Sequence, residues 1–164
     1  MTDHYMGNPN VKGDGVTQPW TEHDVREYAK CMQDPAYFAR TYVKIISLDK
    51  GLVNFNLYDY QEKMFQHFAD NRFSIVLACR QSGKSISSVV YLLWYAIFHP
   101  EKTIAVLANK GATAREMLAR VTLALENLPF FLQPGCRALN KGSIEFSNNS
   151  RILAAATSGS SIRG

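Results

Sequence analysis

Residues 78–85 read Ala-Cys-Arg-Gln-Ser-Gly-Lys-Ser, and this octapeptide constrains the chain more than any other stretch. It meets the spacing G-x-x-x-x-G-K-[ST], with Ala78 in place of the first glycine. Where a strand gives way to a helix through such a loop, backbone N–H groups turn inward and attract phosphate oxygens at the helix N-terminus. Ala78, Cys79, Gln81 and Ser82 supply backbone to that cradle. Gly83 lets the chain approach without a side chain in the way. Lys84 is placed for the β- and γ-phosphates and Ser85 for a magnesium ion, so ATP with Mg²⁺ is the expected ligand. Arg80 carries a guanidinium into the loop. It either lies against the γ-phosphate and stabilises transition-state charge, or is solvated or paired with a carboxylate; the sequence leaves both open. A plain glycine turn between strand and helix is the competing reading of the whole octapeptide.

The flanks fit the expectation. Phe73–Ala78 is a short apolar run that predicts a buried parallel strand. Ser85–Phe98 is apolar almost all round and predicts a buried helix, stopped by His99-Pro100. Thr103–Ala108 predicts a second buried strand, and Ala112–Leu128 a helix with Met117, Leu118, Val121, Leu125 and Leu128 on one side. Strand–helix–strand–helix order argues for a parallel sheet with helices packed on it. Ser143–Phe146 and Arg151–Ala155 flank Asn148-Asn149-Ser150 and predict a hairpin. Upstream, Thr21 with Asp24 opens a helix to about Gln33, and Asp34-Pro35 opens another to about Tyr42, whose aromatic face needs a partner. A short hairpin follows around Asp49-Lys50-Gly51, then an amphipathic helix over Tyr58–Ala69 ended near Asn71. Residues 1–19, with three glycines and two prolines, read as a mobile arm, and 20–164 as an incomplete ATPase domain.

Composition mainly excludes. No apolar run approaches the roughly 20 residues that span a bilayer, and the N-terminus lacks a secretory apolar core, so a cytoplasmic protein is expected. Cys31, Cys79 and Cys136 are far apart and odd in number, which argues against disulfides or zinc. The four histidines are scattered, and none is assigned a metal. The net charge of +4 is compatible with nucleic acid without requiring it.

A magnesium-dependent ATPase also needs an acidic residue on a neighbouring strand. Past Asp70 only Glu101, Glu116, Glu126 and Glu145 are acidic, and none ends an apolar run. The chain stops in mid-pattern at Ser160-Ser161-Ile162-Arg163-Gly164. The expectation is an N-terminal piece of a longer protein, truncated before its acidic strand, that binds nucleotide weakly and does not hydrolyse it usefully.

Taken together, ACRQSGKS, LANKGATAREMLAR, LPFFLQPG, NKGSIEF, the final SIRG and the upstream NLYDYQEKM resemble the large terminase subunit of tailed phages, T-even type, over about residues 35–164. The resemblance implies a P-loop ATPase motor that packages double-stranded DNA into a prohead and, in full length, an endonuclease that cuts it. It implies a ring of copies at the portal and a small terminase subunit as partner, in the host cell cytoplasm. By this likeness Lys84 and Ser85 match the Walker A lysine and hydroxyl, Arg80 the loop arginine that senses the γ-phosphate, and Tyr60-Gln61 the adenine-recognition motif. A glutamine amide both donates to and accepts from an adenine edge; by position alone Gln61 reads as a solvated helix residue.

Asn109-Lys110-Gly111 follows the second strand, where ligands of parallel sheets bind. Lys110 and Arg115 are therefore candidate DNA or coupling contacts, against the blander reading of a solvated loop and helix start. Arg163 is a further candidate for nucleotide or DNA. Trp94, at helical spacing in an apolar helix, reads as core. Two rivals stand beside the motor: a superfamily-2-type helicase or translocase, and a nucleotide-binding assembly module without turnover. An apolar run ending Asp-Glu beyond residue 164 would favour the motor.

Overall fold

A computed structural model describes residues 3–47 and 49–157 of the chain. A small antiparallel hairpin, β1 (His4–Tyr5) and β2 (Asn8–Lys12), comes first. It lies in the stretch expected to be a mobile arm, yet Val11 is fully buried. The anchor is the side chain of Gln133. Its Oε1 accepts the Lys12 N–H at 2.9 Å, and its Nε2 donates to the carbonyls of Asn10 (3.0 Å), Leu125 (3.0 Å) and Leu128 (2.8 Å). Gly135 lets the strands meet: a Cβ there would stand 2.5 Å from the Gly13 carbonyl oxygen. Composition could not foresee an anchor more than a hundred residues away.

Helix α1 (Glu22–Gln33) opens on the expected capping box. Thr21 Oγ1 accepts the Asp24 N–H at 3.1 Å, and Asp24 Oδ2 accepts the Thr21 N–H at 2.9 Å. Helix α2 (Pro35–Tyr42) starts where Asp34 accepts the Ala36 and Tyr37 N–H groups at 2.8 and 3.1 Å. The aromatic face of α2 finds two partners. Phe38 is fully buried edge-on to Phe98, while Tyr37 and Tyr42 both donate their hydroxyls to Glu27 Oε2 at 2.7 Å. Lys30 donates to the other oxygen of Glu27 at 2.8 Å. The Lys30 bond first, then those from Tyr37 and Tyr42, hold the Glu27 carboxyl down at about 2.

The hairpin β3 (Lys44–Ser47) and β4 (Gly51–Asn54) follows, then α3 (Asp59–Asp70), which buries Met64 and Phe65. Helix α4 (Lys84–Phe98) is the centre of the core, with Val89, Val90, Leu93 and Ala96 fully buried. Trp94 belongs to that core, and its Nε1 donates to the Cys31 carbonyl at 2.7 Å. Strand β5 (Thr103–Ala108), α5 (Gly111–Glu126), β6 (Cys136–Leu139), β7 (Ser143–Phe146) and β8 (Arg151–Ala156) follow among the described residues.

The sheet is four-stranded in the order β5-β8-β7-β6, and it is mixed. Only β5 and β8 run parallel; β8 with β7 and β7 with β6 are antiparallel. The parallel sheet expected from element order is thus reduced to one parallel pair. The reason is the length of the connections. The short turns on either side of β7 can only return the chain antiparallel, whereas β5 reaches β8 after a long excursion through α5.

Phe73–Ala78 corrects the sequence expectation most sharply. It is neither a strand nor buried: no regular structure is assigned there, and Phe73, Ile75 and Leu77 are 82, 96 and 100 % exposed. A parallel strand buried on both faces requires a hydrogen-bonded neighbour, and no described strand pairs with this segment. An apolar run records what a segment can become but not who stands beside it. The architecture is mixed α/β, and no described helix is long and apolar enough to cross a membrane.

Candidate functional site

Between Ala78 and α4 the chain curls on itself. Gln81 (φ 62°) and Gly83 (φ 77°) both take the left-handed conformation, and Gly83 is the N-cap of α4. Glycine is required at 83 twice over, because a Cβ there would also meet Gln61 Nε2 at 2.6 Å. Inside the curl the Cys79 carbonyl is a hub. Lys84 Nζ donates to it at 3.0 Å and Ser82 Oγ at 2.9 Å. Tyr60, at the start of α3, donates its hydroxyl to the Ser82 carbonyl.

Lys84 is therefore the first residue of α4, where the helix's own N–H groups have no partners within the helix and the macrodipole is positive. Ser85 follows and is exposed. Cys79, Arg80 and Gln81 are exposed, and Ala78 and Ser82 are half-buried. The structure thus brings Ala78–Ser85 together as a helix-capping loop, even though the segment before it is not a strand.

A cavity of about 740 Å³ opens against this loop, lined by Gln81, Gly83, Lys84 and Ser85 on one side. Opposite stand Lys44 on β3 and Arg120 on α5, with Glu116, whose carboxylate accepts from Arg120 at 2.7 Å. That volume lies within the range of ligand pockets, about 300–1,000 Å³. Lys44 and Arg120 escaped the sequence reading. They sit on elements remote in sequence, and no local pattern links them to the loop.

Gln61 and Tyr60 reach the loop from its other side. Gln61 is 2 % exposed, and its Oε1 already accepts the Tyr58 N–H at 2.9 Å, which leaves Nε2 facing Gly83. The solvated helix residue suggested by position alone is not what the structure shows. Tyr60 is stacked on Tyr58, with ring planes 10° apart, beside the loop. Lys110 caps α5 and Arg115 lies in its first turns, both exposed. Neither lines the loop cavity; Arg115 borders a second one of about 610 Å³ with Leu139, Asn140 and Lys141. Arg163 lies outside the described residues.

For a metal, no group of three or more His, Cys, Asp or Glu side chains converges among the described residues. The Ser85 hydroxyl at the cavity wall is suited to one position on a hard cation. The three thiols differ. Burial pushes Cys31 and Cys136 up to about 12, whereas Cys79 is exposed in the loop.

Residues 75–164, more than half of the chain, match the family described as terminase large subunit, T4likevirus-type, N-terminal. The match begins just before the loop and covers α4, the sheet and α5; Tyr60 and Gln61 lie ahead of it.

Proposed function

This chain belongs to the T4likevirus-type family of terminase large subunits, and from that premise we propose that residues 78–85 form the phosphate-binding loop of its DNA-packaging ATPase. The observation that carries the reading is the placement of Lys84 on the first turn of α4, after a left-handed glycine cap, at the wall of a cavity of about 740 Å³.

The chemistry follows from that placement. The N–H groups of the first turn of α4 and of the loop hold the β-phosphate by oriented dipoles. Lys84 leaves the Cys79 carbonyl and takes a phosphate oxygen, exchanging a neutral acceptor for a charged one, which is the stronger bond. The Ser85 hydroxyl would hold one position on the magnesium ion that accompanies the nucleotide, and that ion would supply charge to offset what builds up on the transferred phosphoryl group. Arg80 swings from the exposed face to the γ-phosphate. Tyr60 and Gln61 hold the loop from behind, Tyr60 through the Ser82 carbonyl and Gln61 with its Nε2 against Gly83. Lys44 adds positive charge across the cavity, where Arg120 is already paired with Glu116. The family role extends the reading to double-stranded DNA, a portal, a small terminase subunit and a ring of copies of this chain. Lys110, Arg115 and Arg163 remain the proposed DNA or coupling contacts.

The test is binding of a fluorescent ATP analogue. Lys84→Ala removes a charge-assisted bond worth about 1.5–3 kcal/mol, so affinity is expected to fall about 10- to 150-fold. ATP should also slow the reaction of the exposed Cys79 with a thiol reagent, while Cys31 and Cys136 stay silent. Equal affinity of Lys84→Ala and the parent would refute the assignment.

A further inference from the structure

A second cavity, of about 320 Å³, lies between the N-terminal hairpin, α1 and the loop before β6, and shares no lining residue with the loop cavity. Lys12 lines it together with Thr17, Trp20, Tyr28, Phe131 and Ser147. Lys12 is 9 % exposed, so more than nine-tenths of it is buried. Its aliphatic stem is covered while its ammonium keeps contact with the open cavity. No described carboxylate pairs with that ammonium: partial burial alone depresses its pKa, with no carboxylate acting in the other direction. Asp14, the nearest acid in sequence, accepts instead from Arg137 at 3.3 Å.

The rest of the wall shows what is missing. The amides of Gln133 and Asn148, which also border the cavity, are spent on backbone groups. Burial alone raises the Tyr28 hydroxyl too, so it is not serving as donor to a neighbouring carboxylate. The wall therefore brings together Lys12, the hydroxyl-bearing Thr17, Tyr28 and Ser147, the aromatic Trp20 and Phe131, and Asp14, whose carboxylate accepts from Arg137.

We propose that this cavity is an anion site in which Lys12 binds a phosphoryl group. A point-charge ammonium among hydroxyls suits a tetrahedral oxyanion; a planar carboxylate is better matched by the fork of an arginine. The aromatic walls leave room for an attached base. The phosphoryl group comes either from a free phosphate or nucleotide, or from a single strand of nucleic acid.

The experiment starts from the Lys84→Ala protein, so that binding at the loop does not intrude. Inorganic phosphate at ten times its Kd is expected to raise the thermal midpoint by about 3 °C, relative to chloride at equal ionic strength. Adding Lys12→Met should abolish that rise. This second change keeps the apolar stem and removes the disfavoured charge, so the double variant should unfold no earlier than its parent, which separates lost binding from lost folding. A short fluorescein-labelled thymidine oligonucleotide, followed by anisotropy, identifies the source. Strand binding that weakens about tenfold with Lys12→Met points to nucleic acid. A phosphate effect that needs Lys12 while strand binding ignores it points to the free anion. A phosphate rise of equal size with and without Lys12, or no rise in either protein, overturns the site.

Discussion

Replacing Gly83 by alanine attacks the loop at the point where its backbone and its support meet. The left-handed conformation at φ 77° costs an L-residue about 1–2 kcal/mol. The new Cβ would stand 2.6 Å from Gln61 Nε2, well inside contact distance, so the amide must move. A glutamine at the surface would swing aside cheaply, but Gln61 is 2 % exposed and its Oε1 holds the Tyr58 N–H. Moving it loses that hydrogen bond, about 1 kcal/mol, and drives the side chain from its rotamer at a similar cost of about 1 kcal/mol. The total is about 3–4 kcal/mol, of which about 2 belongs to the contact with Gln61. Urea unfolding of the parent, Gly83→Ala, Gln61→Ala and the double variant measures that share. In the Gln61→Ala background the glycine change should cost only the backbone part, about 1–2 kcal/mol. If Gly83→Ala costs the same in both backgrounds to within about 0.5 kcal/mol, the two residues are independent and the reasoning fails.

Two further outcomes follow from the packing. Glu27 carries a carboxyl held at about 2 against an ordinary 4.5, chiefly by Lys30 and then by Tyr37 and Tyr42. A depressed carboxyl stabilises the fold above its unfolded value and loses that contribution as pH falls through the folded one. The unfolding midpoint should therefore drop between about pH 4.5 and 2, and drop less in Glu27→Gln; parallel pH profiles would show that the cluster does not couple to folding. Gln133→Ala strips one acceptor and three donor contacts from backbone groups, two of the latter in buried surroundings. It should cost about 2–4 kcal/mol and speed hydrogen exchange at Val11 and Lys12, and unchanged protection there would refute the anchor.

Much of the local structure could be read from short-range chemistry. Thr21 with Asp24 and Asp34 with Pro35 each set a helix start through groups a few residues apart, and both starts are found where expected, while α4 begins at Lys84, one residue ahead of the expected Ser85. The octapeptide announced its own bend in the same way, since a left-handed residue and a helix N-terminus are local events. What failed was every inference that depended on a distant neighbour. Phe73–Ala78 has the composition of a buried strand but no described strand to pair with, so it lies exposed. The two antiparallel pairings were set by connection length, and β6 carried no pattern of its own strong enough to be noticed. Lys44 and Arg120 face the loop only because β3 and α5 are folded beside it, and Lys12 became a candidate only once the fold set it in a cavity wall. Local backbone preference is thus encoded residue by residue, through sterics and hydrogen bonds that act within a turn or two. Pairing, burial and the convergence of charges depend on which surfaces meet, and that was decided only in three dimensions.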